Sequence, residues 1–128
     1  RVGAFSRNMR KEVSKAGKWY FYDNGIRNAV MGNFKDVNNR QDMGELWENF
    51  FITEKMKNNQ NQLLHQQLHF WRTYDQQEID LIVESNDAIN AYEMKWGKKN
   101  PNVPGGFAKA YPNANYNVVN PENYFTLL

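Results

Sequence analysis

Three side chains in the second half of the chain have the types and spacing to hold a hard cation and act on a phosphate. The runs Glu78-Ile79-Asp80-Leu81-Ile82-Val83 and Ala91-Tyr92-Glu93-Met94-Lys95-Trp96 both read as strands, in which successive side chains point to opposite faces. That places Ile79, Leu81 and Val83 on one face, and Asp80 with Glu78 and Ile82 on the other. In the second run Glu93 and Lys95 share a face, and Tyr92, Met94 and Trp96 take the opposite one. Paired as a hairpin, the two strands would bring Asp80 and Glu93 within reach of one cation. Two carboxylates supply hard oxygens at roughly 2.0–2.1 Å from Mg²⁺ and leave positions for water and a phosphate oxygen. Such an ion polarises phosphorus and acidifies a bound water. Lys95 would hold that water or neutralise charge developing on the phosphate. The structural alternative is a Glu–Lys pair on the wet face of an antiparallel sheet, which is common and weak. Spacing alone does not choose between them.

The elements that must position these residues are legible around them. Residues 1–17 mix basic and small residues (Arg1, Arg7, Arg10, Lys11, Lys15, Gly17) and read as a connector with room for one short helix. Residues 18–128 then form a single domain. Lys18-Trp19-Tyr20-Phe21-Tyr22 is a strand by aromatic content. Asp23 or Asn24 caps a helix to Met31, and Gly32-Asn33 ends it. Residues 35–42 are a polar loop. Residues 44–58 form the longest helix, with Trp47, Phe50, Phe51 and Met56 at helical spacing. Three strands follow over 68–74, 78–84 and 89–96, with Asn86-Asp87 turning between the last two. A Pro- and Gly-rich basic loop over 98–106 leads to a short helix at 107–111, a last strand at 116–119 and a tail. Short strand-to-strand spacings suit hairpins, and the late helix suits a crossover to a parallel edge strand. The fold class is α/β, a mixed sheet flanked by helices.

Composition narrows the chemistry. A chain of 128 residues suits one domain and one core. It has no cysteine, which excludes disulfides and thiolate metal sites and fits a reducing cytoplasm. A metal would therefore be held by carboxylates, carbonyls, waters or the two histidines, favouring Mg²⁺, Mn²⁺ or Ca²⁺ over structural zinc. No run approaches the roughly 20 apolar residues of a membrane span, and the polar, basic start has no signal-peptide core. Because the chain begins at Arg1, a fragment of a longer protein is expected. The net charge of +2 neither demands nor forbids nucleic acid.

Other candidates are weaker. Glu45 suits the first turn of the long helix, where an acid favours the dipole, and Glu48 lies beside the apolar stripe as an ordinary surface glutamate. His65 and His69 are four apart, but the segment around His69 reads as strand, so they do not share a helical face. Trp71 reads as core, with Arg72 beside it as a possible site residue. Lys98, Lys99 and Lys109 are either a nucleic-acid track or a solvated loop. Gly105-Gly106 lacks the Lys-Ser or Lys-Thr of a P-loop.

Glu78-Ile-Asp80-Leu-Ile followed by Tyr92-Glu93-Met-Lys95 resembles the core motif of the PD-(D/E)XK nucleases, which Holliday-junction resolvases and restriction enzymes share. The order of elements agrees. A resemblance over nearly the whole chain is carried by Tyr20-Phe21-Tyr22-Asp23-Asn24-Gly25-Ile26-Arg27-Asn28, Gly44-Glu45-Leu46-Trp47-Glu48-Asn49-Phe50, Phe70-Trp71-Arg72 and Glu78-Ile79-Asp80. These look like the C-terminal domain of unknown function attached to a group of prokaryotic AAA-type ATPases. The resemblance implies a restriction-endonuclease-like fold and an N-terminal ATPase module outside this chain. It also implies that Glu48 matches the helix glutamate of the nuclease pattern. The expected function is a Mg²⁺- or Mn²⁺-dependent nuclease-like domain acting on or binding DNA. Asp80, Glu93 and Glu48 would be metal ligands, and Lys95 would serve the nucleophile or the transition state. The alternative is a catalytically silent module that keeps the fold and binds DNA or a protein.

Overall fold

The alternating runs pair into one sheet whose two faces are both covered, and that double burial is why its strands are so apolar. The computed structural model describes residues 1–7, 11–86 and 88–128; Arg10 and Asp87, expected in the connector and a turn, lie outside them. Six strands stand in the order β2-β1-β3-β4-β5-β6: β1 (Val2–Ala4), β2 (Gly17–Lys18), β3 (Gln67–Arg72), β4 (Glu78–Ser85), β5 (Ala88–Met94) and β6 (Asn115–Val119). β3, β4 and β5 are antiparallel neighbours, while β6 runs parallel to β5 after a crossover through α3 (Gly105–Ala110). The mixed α/β sheet flanked by helices is thus as expected.

The longest helix, α2 (Met43–Asn61), covers one face. Trp47 and Phe51 from α2 pack there with Phe70, Leu81, Val83, Tyr92, Met94 and Val119. The stripe holds because Trp47, Phe51 and neighbouring Ile52 return at helical intervals. Phe51 and Ile52 are wholly buried, whereas Phe50 is only partly so and stacks on Trp47 at 5.5 Å. The other face carries Phe5, Trp71, Ile79, Ile82, Ala91, Phe107 and Tyr111, with α3 against it. The shorter helix α1 (Asn24–Met31) starts on Asp23, whose carboxylate accepts from the Ile26 N–H, and stops at Gly32 with φ of 61°. Only glycine adopts that left-handed conformation without cost. The apolar residues Ile26, Val30 and Met31 of α1 are exposed.

Three expectations are corrected. Residues 1–17 are not a mere connector: β1 pairs parallel with β3, and Val2 and Phe5 are buried. Glu12 is 2% exposed, its carboxylate accepting from Trp71 Nε1 at 2.8 Å, the Tyr111 hydroxyl at 2.7 Å and the Arg7 N–H at 3.0 Å. A buried carboxylate is tolerated only with donors of this kind, and they tie the segment to the sheet. The strand expected over 18–22 shrinks to Gly17–Lys18, and Trp19, Phe21 and Tyr22 are exposed. Their β-propensity reflects burial that this edge does not offer. The expected tail contains α4 (Tyr124–Leu127), whose Tyr124 packs edge-on against Trp47.

Candidate metal centre

A register irregularity decides the geometry of Asp80. His69 pairs with Ile82 and Trp71 with Ile79, so Asp80 and Leu81 together face one residue of β3, Phe70. Such a bulge interrupts alternation and redirects a side chain. Ile79 therefore lies with Ile82 in the α3-side core rather than with Leu81 and Val83, correcting the simple period-two reading. The β4–β5 ladder runs from Ser85 and Ala88 to Leu81 and Tyr92 and ends there. Beyond it, Asp80 Oδ2 accepts from the Met94 N–H at 2.9 Å. A side-chain carboxylate thus replaces a backbone carbonyl where the two strands part.

Asp80 at this gap feels charge from both sides. On the α2 side, Lys18 Nζ lies 3.1 Å from Glu48 Oε1 and 3.9 Å from Asp80 Oδ1, and it also pairs with Glu78. The Tyr20 hydroxyl donates to Glu48 Oε1 at 2.7 Å. Beside Asp80 on β5, Lys95 Nζ bonds Glu93 Oε1 at 2.6 Å. The neighbours of Glu93 in sequence, Tyr92 and Met94, belong to the α2-side core, so alternation turns Glu93 towards the other face with Ala91. Burial, followed by the charges of Glu48 and Glu93, pushes the Asp80 carboxyl up to about 7. Burial opposes the charge on Lys18, but Glu48, Glu78 and Asp80 outweigh it and raise its pKa. Burial likewise opposes the charge on Lys95, and the bond and charge of Glu93 raise it. Burial, then the charges of Glu93 and Asp80, push the Tyr116 phenol up to about 12.

The four expected residues therefore meet around Asp80, with Glu48 on one side and Glu93 with Lys95 on the other. Among the described residues, no group of three acidic or histidine side chains is assembled closely enough to cage an ion. Asp80 is nonetheless a mostly buried acid beside the carboxyls of Glu48 and Glu93, a crowding of negative charge that a cation relieves. Hard carboxylate oxygens suit Mg²⁺ or Mn²⁺, and Mg²⁺ is commonly held by one or two carboxylates with water and substrate completing the shell. By donor type these carboxylates suit an ion of that kind; among the described residues they do not form a complete protein cage.

Other candidates fall outside the centre. Arg72 is exposed and pairs with Glu78, Trp71 is core, and His69 lies on β3, where burial lowers its pKa. Lys98, Lys99 and Lys109 are exposed. Lys18 and Tyr20 were missed as site residues. Their signal was present, since alternation along Lys18-Trp19-Tyr20-Phe21 puts both on one side, but nothing in sequence linked that side to Glu48. Asn49 completes the link. Its side chain accepts from the Phe21 N–H and donates to the Phe21 carbonyl, both at 2.8 Å, and donates to Asn24 Oδ1 at 2.8 Å. Asn49→Ala should cost about 1–3 kcal/mol in chemical denaturation, the price of leaving these groups unpaired; an unchanged midpoint would show that the clamp is not needed.

Residues 43–126 match a family described as a domain of unknown function (DUF4143). The chain belongs to this family. The match spans α2, the β3–β5 meander and β6, and so takes in Glu48, Asp80, Glu93 and Lys95, while Lys18 and Tyr20 precede it. No curated protein and no solved structure matches the chain. Among the described residues, no helix is long and apolar enough to cross a membrane.

Proposed function

We propose that this domain is a metal-dependent phosphodiesterase of the PD-(D/E)XK kind acting on DNA, attached to an AAA-type ATPase and working in the cytoplasm. The observation that carries the reading is the Asp80 carboxylate at the parting of β4 and β5, with the Glu93–Lys95 pair beside it and Glu48 reaching in from α2. The ATPase attachment and the DNA substrate rest on the resemblance of the motifs, and the cytoplasm on the lack of cysteine. A bound Mg²⁺ or Mn²⁺ would supply an acidified water and charge neutralisation at phosphorus. The chain does the rest. Asp80, oriented by the Met94 N–H, and Glu93 would present oxygens to the ion. Lys95, held by Glu93, would steady a nucleophile or the departing charge. Lys18 and the Tyr20 hydroxyl hold Glu48 in place.

The second reading is a silent module that binds DNA or a protein. It is favoured by the Lys18 ammonium, which already pairs with Glu48 and Glu78 and lies 3.9 Å from Asp80. A titration separates the two. Mn²⁺ should stabilise the wild type by about 1.4 kcal/mol at ten times Kd, and Asp80→Ala or Glu93→Ala should remove most of that gain. Lys95→Ala should keep the gain and lose DNA cleavage, because its role lies in the transition state. Equal Mn²⁺ shifts in the wild type and both carboxylate variants would sink the metal centre and leave the silent module.

A further inference from the structure

We propose that the cleft between residues 18–21 and α2 is a binding site for one unpaired nucleotide of a single strand, with Trp19 as the stacking platform; this rests on the nucleic-acid reading above. The cleft is a cavity of about 330 Å³ lined by Lys18, Trp19, Tyr20, Phe21, Glu45 and Glu48, near the lower end of the roughly 300–1,000 Å³ range of small-ligand pockets. It is continuous with the metal centre, because Glu48 and Lys18 belong to both.

Its wall is built before any ligand arrives. Lys18 and Tyr20 are fastened inward to Glu48, and the Phe21 backbone is clamped by Asn49 on both its N–H and its carbonyl. Trp19, between the fastened residues, is turned outward and is 79% exposed. An indole held out on a rigid wall loses little conformational freedom on binding. The Arg1 guanidinium lies 6.0 Å from the indole centroid and crowds the place a side chain at Gly17 would take. An exposed aromatic ring with the Arg1 guanidinium beside it joins the two elements of single-strand recognition, base stacking and backbone charge. A duplex hides its base faces within the stack, so an intact duplex cannot use the platform, whereas an unpaired nucleotide can. A nucleotide stacked on Trp19 would lie in the cleft that Glu48 shares with the centre at Asp80.

The test is the anisotropy of a dye-labelled oligothymidylate of about twelve nucleotides, and of a labelled blunt duplex of the same length, titrated with Asp80→Asn, which blocks cleavage. The single strand should bind more tightly than the duplex. Adding Trp19→Ala should weaken single-strand binding roughly 5- to 150-fold, the equivalent of about 1–3 kcal/mol per stacked base, whereas Trp19→Phe should retain most of it and duplex binding should not change. If both nucleic acids bind equally and Trp19→Ala changes neither, the platform is wrong while the nucleic-acid reading stands. If neither binds, both fall, and the exposed Trp19 is left to a protein partner.

Discussion

Asp80→Asn should make the metal-free protein more stable at about pH 8, by as much as about 4 kcal/mol. Raising a carboxyl from its ordinary range to about 7 corresponds to an energy of that size. The cause is first burial and then the charges of Glu48 and Glu93. The sign follows from proton counting. Between about pH 4 and 7 the folded protein keeps a proton on Asp80 that the unfolded chain has released. Stability therefore falls as pH rises through that window and stays level above it. Asparagine is neutral throughout and still offers an oxygen to the Met94 N–H. The Asp80→Asn curve should thus lack this fall, and the two proteins should converge near pH 4. Denaturant titrations at several pH values, without divalent cations, check it. A variant less stable than the wild type at about pH 8 would mean that the ion pairs of Lys18 outweigh burial, and Asp80 would then be a structural residue rather than one held at a cost for function.

The largest loss is expected from Phe51→Ala, about 3–5 kcal/mol. Phe51 has no exposed surface and meets Tyr92 at 5.8 Å between ring centroids, in the core between α2 and β5. Removing it leaves a void bounded by the sheet, which cannot close around it. Phe50 is the control: it stands on the same helix but is only partly buried, so Phe50→Ala should cost clearly less. Ile26→Ala, on the exposed side of α1, should stay within about 0.5 kcal/mol. Equal losses at positions 50 and 51 would show that α2 packs through a different stripe. Since α2 also carries Glu48 and Asn49, Phe51→Ala should loosen the cleft as well.

Local pattern determined much of this protein. Helical spacing in α2, the Asp23 cap, the Gly32 stop and the period-two run of β5 are set by contacts within a few residues, and all were legible. The hairpin that brings Asp80 to Glu93 followed from the short turn between its strands. What only the tertiary structure decided depended on partners distant in the chain. β1 is three residues long and mostly small, and it is a strand because β3 offers it an edge. Trp19 to Tyr22 have the composition of a strand, yet extended pairing needs a partner, and β2 ends at Lys18. The bulge at Asp80 and Leu81 arises from the register of β3 against β4, which no alternation within one strand encodes. It carries Asp80 to the gap where the strands separate. Lys18 and Tyr20 become neighbours of Glu48 only once the N-terminal edge folds against α2, some thirty residues further along the chain. Residue types thus named the chemistry, while long-range pairing chose which of them stand together.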